Sequence, residues 1–303
     1  MASTIFEYFG RPAVDNSEHA RELAKAEFCP IIGHKCEKTL NDGVVSGVCS
    51  IKPMRSGPVI CCPIRLYGDD YKVLRDISDI AFQPGLELVP GKEARDRARS
   101  LGHPVVAVFG KRWGGELPLP RKKGGGSYFI DWIIGRVDEQ GDLSEFTAIE
   151  VQTIDTTGNY RNGRLGLERD PRTIEKTSAG LNWENVSKRI IPQLIYKAQV
   201  LQRESKVNKG LFFVCPTPVF NKIVERVGGI DALPSYPMNG ATITFIAYDY
   251  LDSTVGPGAY TSELPIGLTR RHTTSVDRFQ VAFNNVALPE GDAYGMAIER
   301  ALG

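Results

Sequence analysis

Three polar residues in the stretch FIDWIIGRVDEQGDLSEFTAIEVQTIDTTGNYR, residues 129–161, have the types and spacing that metal-assisted hydrolysis needs. Asp131 opens one strand-like run, and Glu150 stands near the end of a second, separated from the first by the turn-like DEQGD. Side chains alternate across a strand, so Glu150 and Gln152 share one face while Ile149 and Val151 point to the other. The apolar pair can then be buried while the polar pair lines a cleft. Mg²⁺ takes hard oxygen ligands, commonly one or two carboxylates with water and phosphate completing the shell. Hydrolysing a phosphodiester needs such an ion to activate a water and to offset charge growing on the phosphorus oxygens. Asp131 and Glu150 are therefore the expected Mg²⁺ ligands. Metal-dependent nucleases usually carry Lys two residues after the Glu. Gln152 can hold the attacking water through its amide but brings no positive charge.

Glu116, in the GGELPLP loop, is a candidate fourth member, and Asp155 lies just past the strand. The loop KRWGGELPLPRKKGGGS before the hairpin carries five basic residues, and the polar TIDTTGNYRNGR follows it. Donors on both sides of an ion suit backbone phosphates. The plain alternative is a surface hairpin with a solvated polar face, and spacing alone does not choose between the two.

A second cluster is made of sulfur. Cys29, Cys36, Cys49 and the adjacent Cys61 and Cys62 account for five of the six cysteines, in FCPIIGHKC, GVCSI and VICCPIR. Their spacings are looser than the tight pairs of common zinc modules. Four thiolates still make a closed tetrahedral site for zinc or iron, which would stabilise a loop-rich segment. The alternative is small buried hydrophobes. Cys215, in LFFVC, reads as core. Between Cys61 and Cys62 the pattern does not decide. Cys62 is favoured because CPIR repeats the Cys-Pro arrangement of Cys29 and Pro30. His34 is a substitute ligand of lower standing.

The elements that must position these groups form an α/β chain. Residues 15–27 read as a helix capped by Asp15 or Asn16, and KEARDRARSL as another. HPVVAVFG, SYFIDWIIGRV, EFTAIEVQTI, GLFFVCPTPVF and ATITFIAYDY read as strands. Residues 183–204 read as a long amphipathic helix kinked at Pro192. The order implies a mixed sheet with the helix on one face. Residues 1–80 are expected to hold the cysteine module and 81–303 the core with its DNA-recognition loops. Composition is that of a globular protein, 42% hydrophobic and 24% charged, with a formal net charge of +1. No global basic field announces nucleic acid, so any such partner meets a local groove. No apolar run approaches the ~20 residues that span a bilayer. The first twenty residues lack a basic region followed by an apolar core, so a cytoplasmic setting is expected. GGGS at 124–127 is not a phosphate loop, since no GK[ST] follows.

Taken together, the fragments CPxxxxxC, GVCSI and CPxR followed by the IEVQ strand resemble the NotI/EagI-like group of restriction endonucleases, over about Phe28 to Arg161. The resemblance implies a PD-(D/E)XK nuclease core with a small N-terminal four-cysteine metal-binding domain. It implies a type II restriction endonuclease that cuts a GC-rich palindrome with a CGGCCG-like core, as a homodimer on double-stranded DNA in the bacterial cytoplasm. A cognate DNA methyltransferase would act on the same site without needing to bind this chain. Carried over by position, the catalytic members are Asp131, Glu150 and Gln152, with Glu116 as the added acid. The ligands of an iron ion are Cys29, Cys36, Cys49 and one of Cys61 or Cys62. Iron rests on the resemblance; thiolate chemistry alone would favour zinc. Reading guanine favours Arg or Lys, and Arg161 and Arg164, just after the catalytic strand, are the named candidates. Rival readings are a structure-selective repair or junction nuclease and a non-catalytic DNA-binding protein with a decayed nuclease core, which Gln152 keeps open. A redox protein is disfavoured by the absence of a tight CxxC pair.

Overall fold

The computed structural model describes residues 2–40, 43–113, 115–117, 129–285 and 291–303. The chain is a mixed α/β protein whose main sheet has seven strands. The strands, in chain order, are β1 Ser3–Tyr8, β2 Arg11–Pro12, β3 Phe28–Cys29, β4 His34–Lys35, β5 Val48–Pro53 and β6 Val59–Ile60. They continue with β7 Leu88–Pro90, β8 Val105–Gly110, β9 Trp132–Val137, β10 Leu143–Val151, β11 Thr156–Thr157 and β12 Gly180–Leu181. The last three are β13 Val207–Pro216, β14 Thr242–Tyr250 and β15 Ile266–Ser275. The α-helices are α1 Glu18–Lys25, α2 Gly68–Ala81, α3 Ala94–Leu101, α4 Arg161–Leu167, α5 Ile191–Leu201, α6 Thr217–Arg226, α7 Val276–Asn284 and α8 Ala293–Leu302.

The main sheet runs β15-β14-β13-β10-β9-β8-β7, and a four-stranded sheet runs β2-β1-β5-β6. In the main sheet β10, β13 and β14 are parallel to one another, while β8, β9 and β10 are joined antiparallel. A parallel pair needs a crossover, and the segment between β10 and β13 contains α4 and α5. Both faces of the central strands are covered, which is why they read as near-continuous apolar runs. On one face Ala148, Leu211, Phe213 and Phe245 pack with Leu194 and Ala198 of α5, Phe220 of α6 and Phe279 of α7. On the other, Ile149, Val151, Phe212 and Val214 pack with Val73, Leu74 and Ile77 of α2, and with Phe6 and Ile60 from the N-terminal sheet.

Several local expectations need correction. The cap of α1 is Ser17, whose hydroxyl accepts from the Ala20 N–H at 3.2 Å; Asp15 instead accepts from the Ser17 N–H at 2.9 Å. The expected 183–204 helix is present as continuous helix over 184–201, with a π-helical turn rather than a simple kink ahead of Pro192. That turn, Val186–Ile190, leads into α5, and Pro192 follows it directly, its missing N–H coinciding with the change of helical register. In α2, Asp69, Asp70 and Tyr71 have positive φ of 55°, 49° and 57°, so the right-handed helix begins only after them. Left-handed residues cost about 1–2 kcal/mol each. The turn places Tyr71 in an aromatic cluster, stacked on Tyr67 at 5.7 Å and Trp113 at 5.8 Å and edge-on to Trp132 at 5.5 Å. Such ring pairs contribute about 0.5–1.5 kcal/mol each beyond burial.

The N-terminal sheet is fastened to the main sheet by a buried charge network. Arg65 donates to both carboxylate oxygens of Glu7, at 2.8 and 3.0 Å, with the two side chains 1% and 0% exposed. Its guanidinium also donates to the Leu264 carbonyl. The Tyr250 hydroxyl, from β14, donates to Glu7 at 2.6 Å and meets the Ser50 hydroxyl at 2.7 Å. Breaking one side of a buried pair leaves an uncompensated charge. Arg65→Met is therefore expected to lower unfolding free energy by about 3–5 kcal/mol, and Tyr250→Phe by about 1–2 kcal/mol. Denaturant titration measures both, and an Arg65→Met loss under about 1 kcal/mol would remove the network from the account.

Candidate active site

The antiparallel register of β9 and β10 pairs Trp132 with Ile149. One step further along that register sets Asp131 opposite Glu150. Asp131 Oδ2 accepts the Val151 N–H at 2.8 Å, which ties the first carboxylate across to the second strand. Glu150 lies on the α5 face with Ala148 and is 7% exposed. Its Oε1 accepts a hydrogen bond from Lys197 Nζ of α5 at 2.5 Å. Its Oε2 is buried and has no hydrogen-bond partner among the described residues. Ile149 and Val151 are buried against the opposite core, as alternation requires. Gln152 follows the strand, donating its backbone N–H to the Val214 carbonyl at 2.9 Å. Its side chain donates to the Thr153 carbonyl at 3.2 Å.

A cavity of about 990 Å³ opens at these strand ends. Asp131, Gln152 and Glu116 line it on the sheet side; Lys38, Cys61 and Cys62 line it from the cysteine segment; Arg161 and Arg164 line it from α4. Asp131, Gln152 and Glu116 on one side and the cysteine segment on the other are thus two walls of one cleft, while Glu150 is not among the lining residues and lies buried against α5. Glu116 is exposed, and its charge acts on Asp131. Arg161 is exposed at the start of α4, while Arg164 contacts the Tyr8 hydroxyl at 3.5 Å and Glu168 at 3.5 Å. Asp155 also lines the cavity, where it accepts from Asn185 at 2.7 Å and Arg189 at 2.9 Å. Of the upstream basic loop, residues 118–128 lie outside the described residues, which leaves Lys111 and Arg112. Both pair with Glu37 of the cysteine segment, Lys111 at 3.1 Å.

The cysteines form a buried group with one member turned aside. Cys29, Cys49, Cys61 and Cys62 are buried and Cys36 is half-buried. The Cys61 and Cys62 N–H groups both donate to the Cys49 carbonyl, at 3.0 and 3.1 Å. Cys61 Sγ lies 3.7 Å from Lys38 Nζ and packs with Ile5, Tyr8 and Tyr160. Cys49 senses the charges of Cys62 and Cys29, and Cys62 those of Lys38, Cys61 and, more weakly, Cys36. Burial pushes the Cys49 and Cys62 thiols up, Cys62 to about 11. His34 is exposed and lies 3.7 Å from Glu37. Among the described residues no three His, Cys, Asp or Glu side chains are drawn together tightly enough to hold an ion. Cys215 is fully buried in the main core.

Sequence reasoning did not find Lys197, Lys38 or Tyr160. Lys197 sits in the apolar stripe Ile190, Leu194, Leu201, a position where a charge needs a partner. That break in the stripe was its signal.

Burial raises the carboxyl of Glu150 to about 7, the nearby Asp131 charge adds to this, and Lys197 pulls it back. Burial raises Asp131 as well. A carboxyl whose folded-state value exceeds its unfolded value gives stability that is present at low pH and lost as pH rises through the folded value. For Glu150 that window runs from 4.5 to about 7. In chelator, the wild-type melting temperature is expected to fall relative to Glu150→Gln across that window. Parallel curves would show that Glu150 ionises at its ordinary value.

The family model for Restriction endonuclease NotI matches residues 14–254, most of the chain, taking in the cysteine segment, both carboxylate strands and α5. Comparison with curated proteins finds no match. Asp131 on a cleft with arginines on its far wall, with Glu150 opposite it on the neighbouring strand, is an arrangement compatible with cutting a DNA backbone. The chain belongs to the NotI restriction endonuclease family and is a type II site-specific deoxyribonuclease.

Proposed function

We propose that this endonuclease makes a Mg²⁺-dependent double-strand break at a GC-rich palindrome with a CGGCCG-like core, acting as a homodimer. The observation that carries the metal site is the Asp131–Glu150 pair, with Glu150 Oε2 buried and unpartnered among the described residues. Such an atom fits a hard cation, whose oxygen ligands it matches. When bound, Mg²⁺ supplies charge neutralisation at the phosphate and an acidified water. The chain's own part is positional. Asp131 is held across the strands by the Val151 N–H, Gln152 offers an amide to the attacking water, and Glu116 adds charge at the lip of the cleft. Arg161 and Arg164 on the facing wall are placed for phosphate or guanine contacts. The mixed sheet with helices on both faces supports a PD-(D/E)XK core. Cutting both strands of a palindrome symmetrically calls for two copies related by a two-fold axis.

Cys29, Cys36, Cys49 and Cys62 are the proposed ligands of a structural iron within residues 1–80, ahead of a nuclease core in 81–303. The burial of Cys29, Cys49 and Cys62 supports this, as does the contact of Cys61 with Lys38. Four sulfur donors fit a soft-ligand site. The purified protein with Mg²⁺ and a plasmid library is expected to yield fragments ending at one GC-rich palindrome, lost in Glu150→Ala. Intact plasmid with retained binding would point instead to a dead site. Metal analysis is expected to give one iron per chain in Cys61→Ser and less than a tenth of that in Cys62→Ser. The reverse order would make Cys61 the ligand.

A further inference from the structure

Position 152 holds Gln where the usual nuclease strand carries a cation, yet a cation is present at the site. Lys197 reaches Glu150 Oε1 from α5 at 2.5 Å, with its side chain 9% exposed and that of Glu150 10% exposed. Burying an ammonium costs several kcal/mol unless it is paired. A leucine or methionine would complete the stripe of Ile190, Leu194 and Leu201 without that cost. Packing therefore does not explain a lysine here. An ammonium has three N–H donors, and among the described residues Glu150 is its one hydrogen-bond acceptor. Two donors remain beside the carboxylates. Asp131 and Glu150 face Lys197 from β9 and β10, and Glu116 lies beyond Asp131 at the cleft.

We propose that Lys197 is a positioning residue of the nuclease site, supplying from helix α5 the positive charge that Gln152 does not and aiming Glu150 so that Oε2 is left for the cation. The inference rests on the nuclease reading and deepens it. The cation of the site comes from the element that covers the sheet, so α5 must seat correctly for cleavage. The π-helical turn Val186–Ile190 and Pro192 set where α5 begins, and thereby which of its residues meets Glu150.

The test uses full-length protein on a plasmid or duplex containing the site that the wild type cuts. Single-turnover cleavage with Mg²⁺, duplex binding with Ca²⁺ and melting temperature in chelator are measured for each variant. Lys197→Gln keeps a donor for Glu150 but loses the charge. It is expected to cut about 100-fold more slowly, with duplex binding within about threefold of wild type. Lys197→Arg keeps the charge and is expected to stay within about tenfold. Adding Gln152→Lys to Lys197→Gln is expected to recover at least about tenfold in rate without restoring the melting temperature. Lys197→Gln cutting at the wild-type rate while Glu150→Ala is inactive would overturn the inference and leave the nuclease site standing. A Lys197→Gln protein that binds poorly, melts early and is not rescued by Gln152→Lys would reduce Lys197 to a structural counter-ion. Cleavage by Glu150→Ala at the wild-type rate would instead remove the active site from this cleft, and the inference with it.

Discussion

The architecture turns on holding two carboxylates side by side in a place poor in water. Asp131 and Glu150 repel each other, and burial penalises both charges. Three partners offset that cost: the Val151 N–H on Asp131, the Lys197 ammonium on Glu150, and, at the otherwise unpartnered Oε2, the cation we assign. Each depends on a different part of the fold. The first needs the antiparallel register of β9 and β10, and the second needs α5 laid across the sheet. The third needs Glu150 at the end of its strand rather than its middle. A one-residue slip of β10 would turn Glu150 into the α2 core and carry Ile149 to the α5 face, leaving Lys197 without its carboxylate.

The cysteine segment enters the same logic from the other side of the cleft. Lys38, Cys61 and Cys62 line the cavity opposite the sheet residues, and Glu37 grips Lys111 and Arg112 beside the Glu116 loop. Packing runs across residue 80, since α2 and Phe6 share a core with β9, β10 and β13. The Glu7–Arg65–Tyr250 network then fixes the N-terminal sheet on β14. A bound metal in the cysteine group would stiffen one wall of the DNA cleft without touching the scissile bond.

What could be read from residues alone follows the range of the interactions concerned. The β9–β10 hairpin was legible because strand alternation is local: VDEQGD marks the turn, and Ile149, Glu150, Val151 and Gln152 declare their faces. The placing of Asp131 and Glu150 on neighbouring strands could be read for the same reason. The α1 cap was misplaced by one or two residues because Asp15, Asn16 and Ser17 are all good caps, and tertiary bonding of Asp15 decided the matter. The π turn before α5 leaves no mark that Pro192 does not also explain. Lys197 was passed over because a lysine in an amphipathic helix ordinarily faces water; its place in the stripe of Ile190, Leu194 and Leu201 hinted otherwise, and the position of β10 supplies its partner. Cys62 was favoured over Cys61 from the repeated Cys-Pro arrangement alone, while the contacts of Cys61 with Lys38 and Tyr160 join residues far apart in sequence.

The most direct test of the central claim is anomalous diffraction from crystals of the protein bound to an uncut palindromic duplex in Mn²⁺. The account predicts a manganese peak between Asp131 and Glu150 Oε2, with Lys197 still on Oε1 and a phosphate oxygen completing the shell. Manganese bound instead at Asp155 or Glu168, with the Asp131–Glu150 pair bare, would contradict it and move the catalytic centre elsewhere in the cleft.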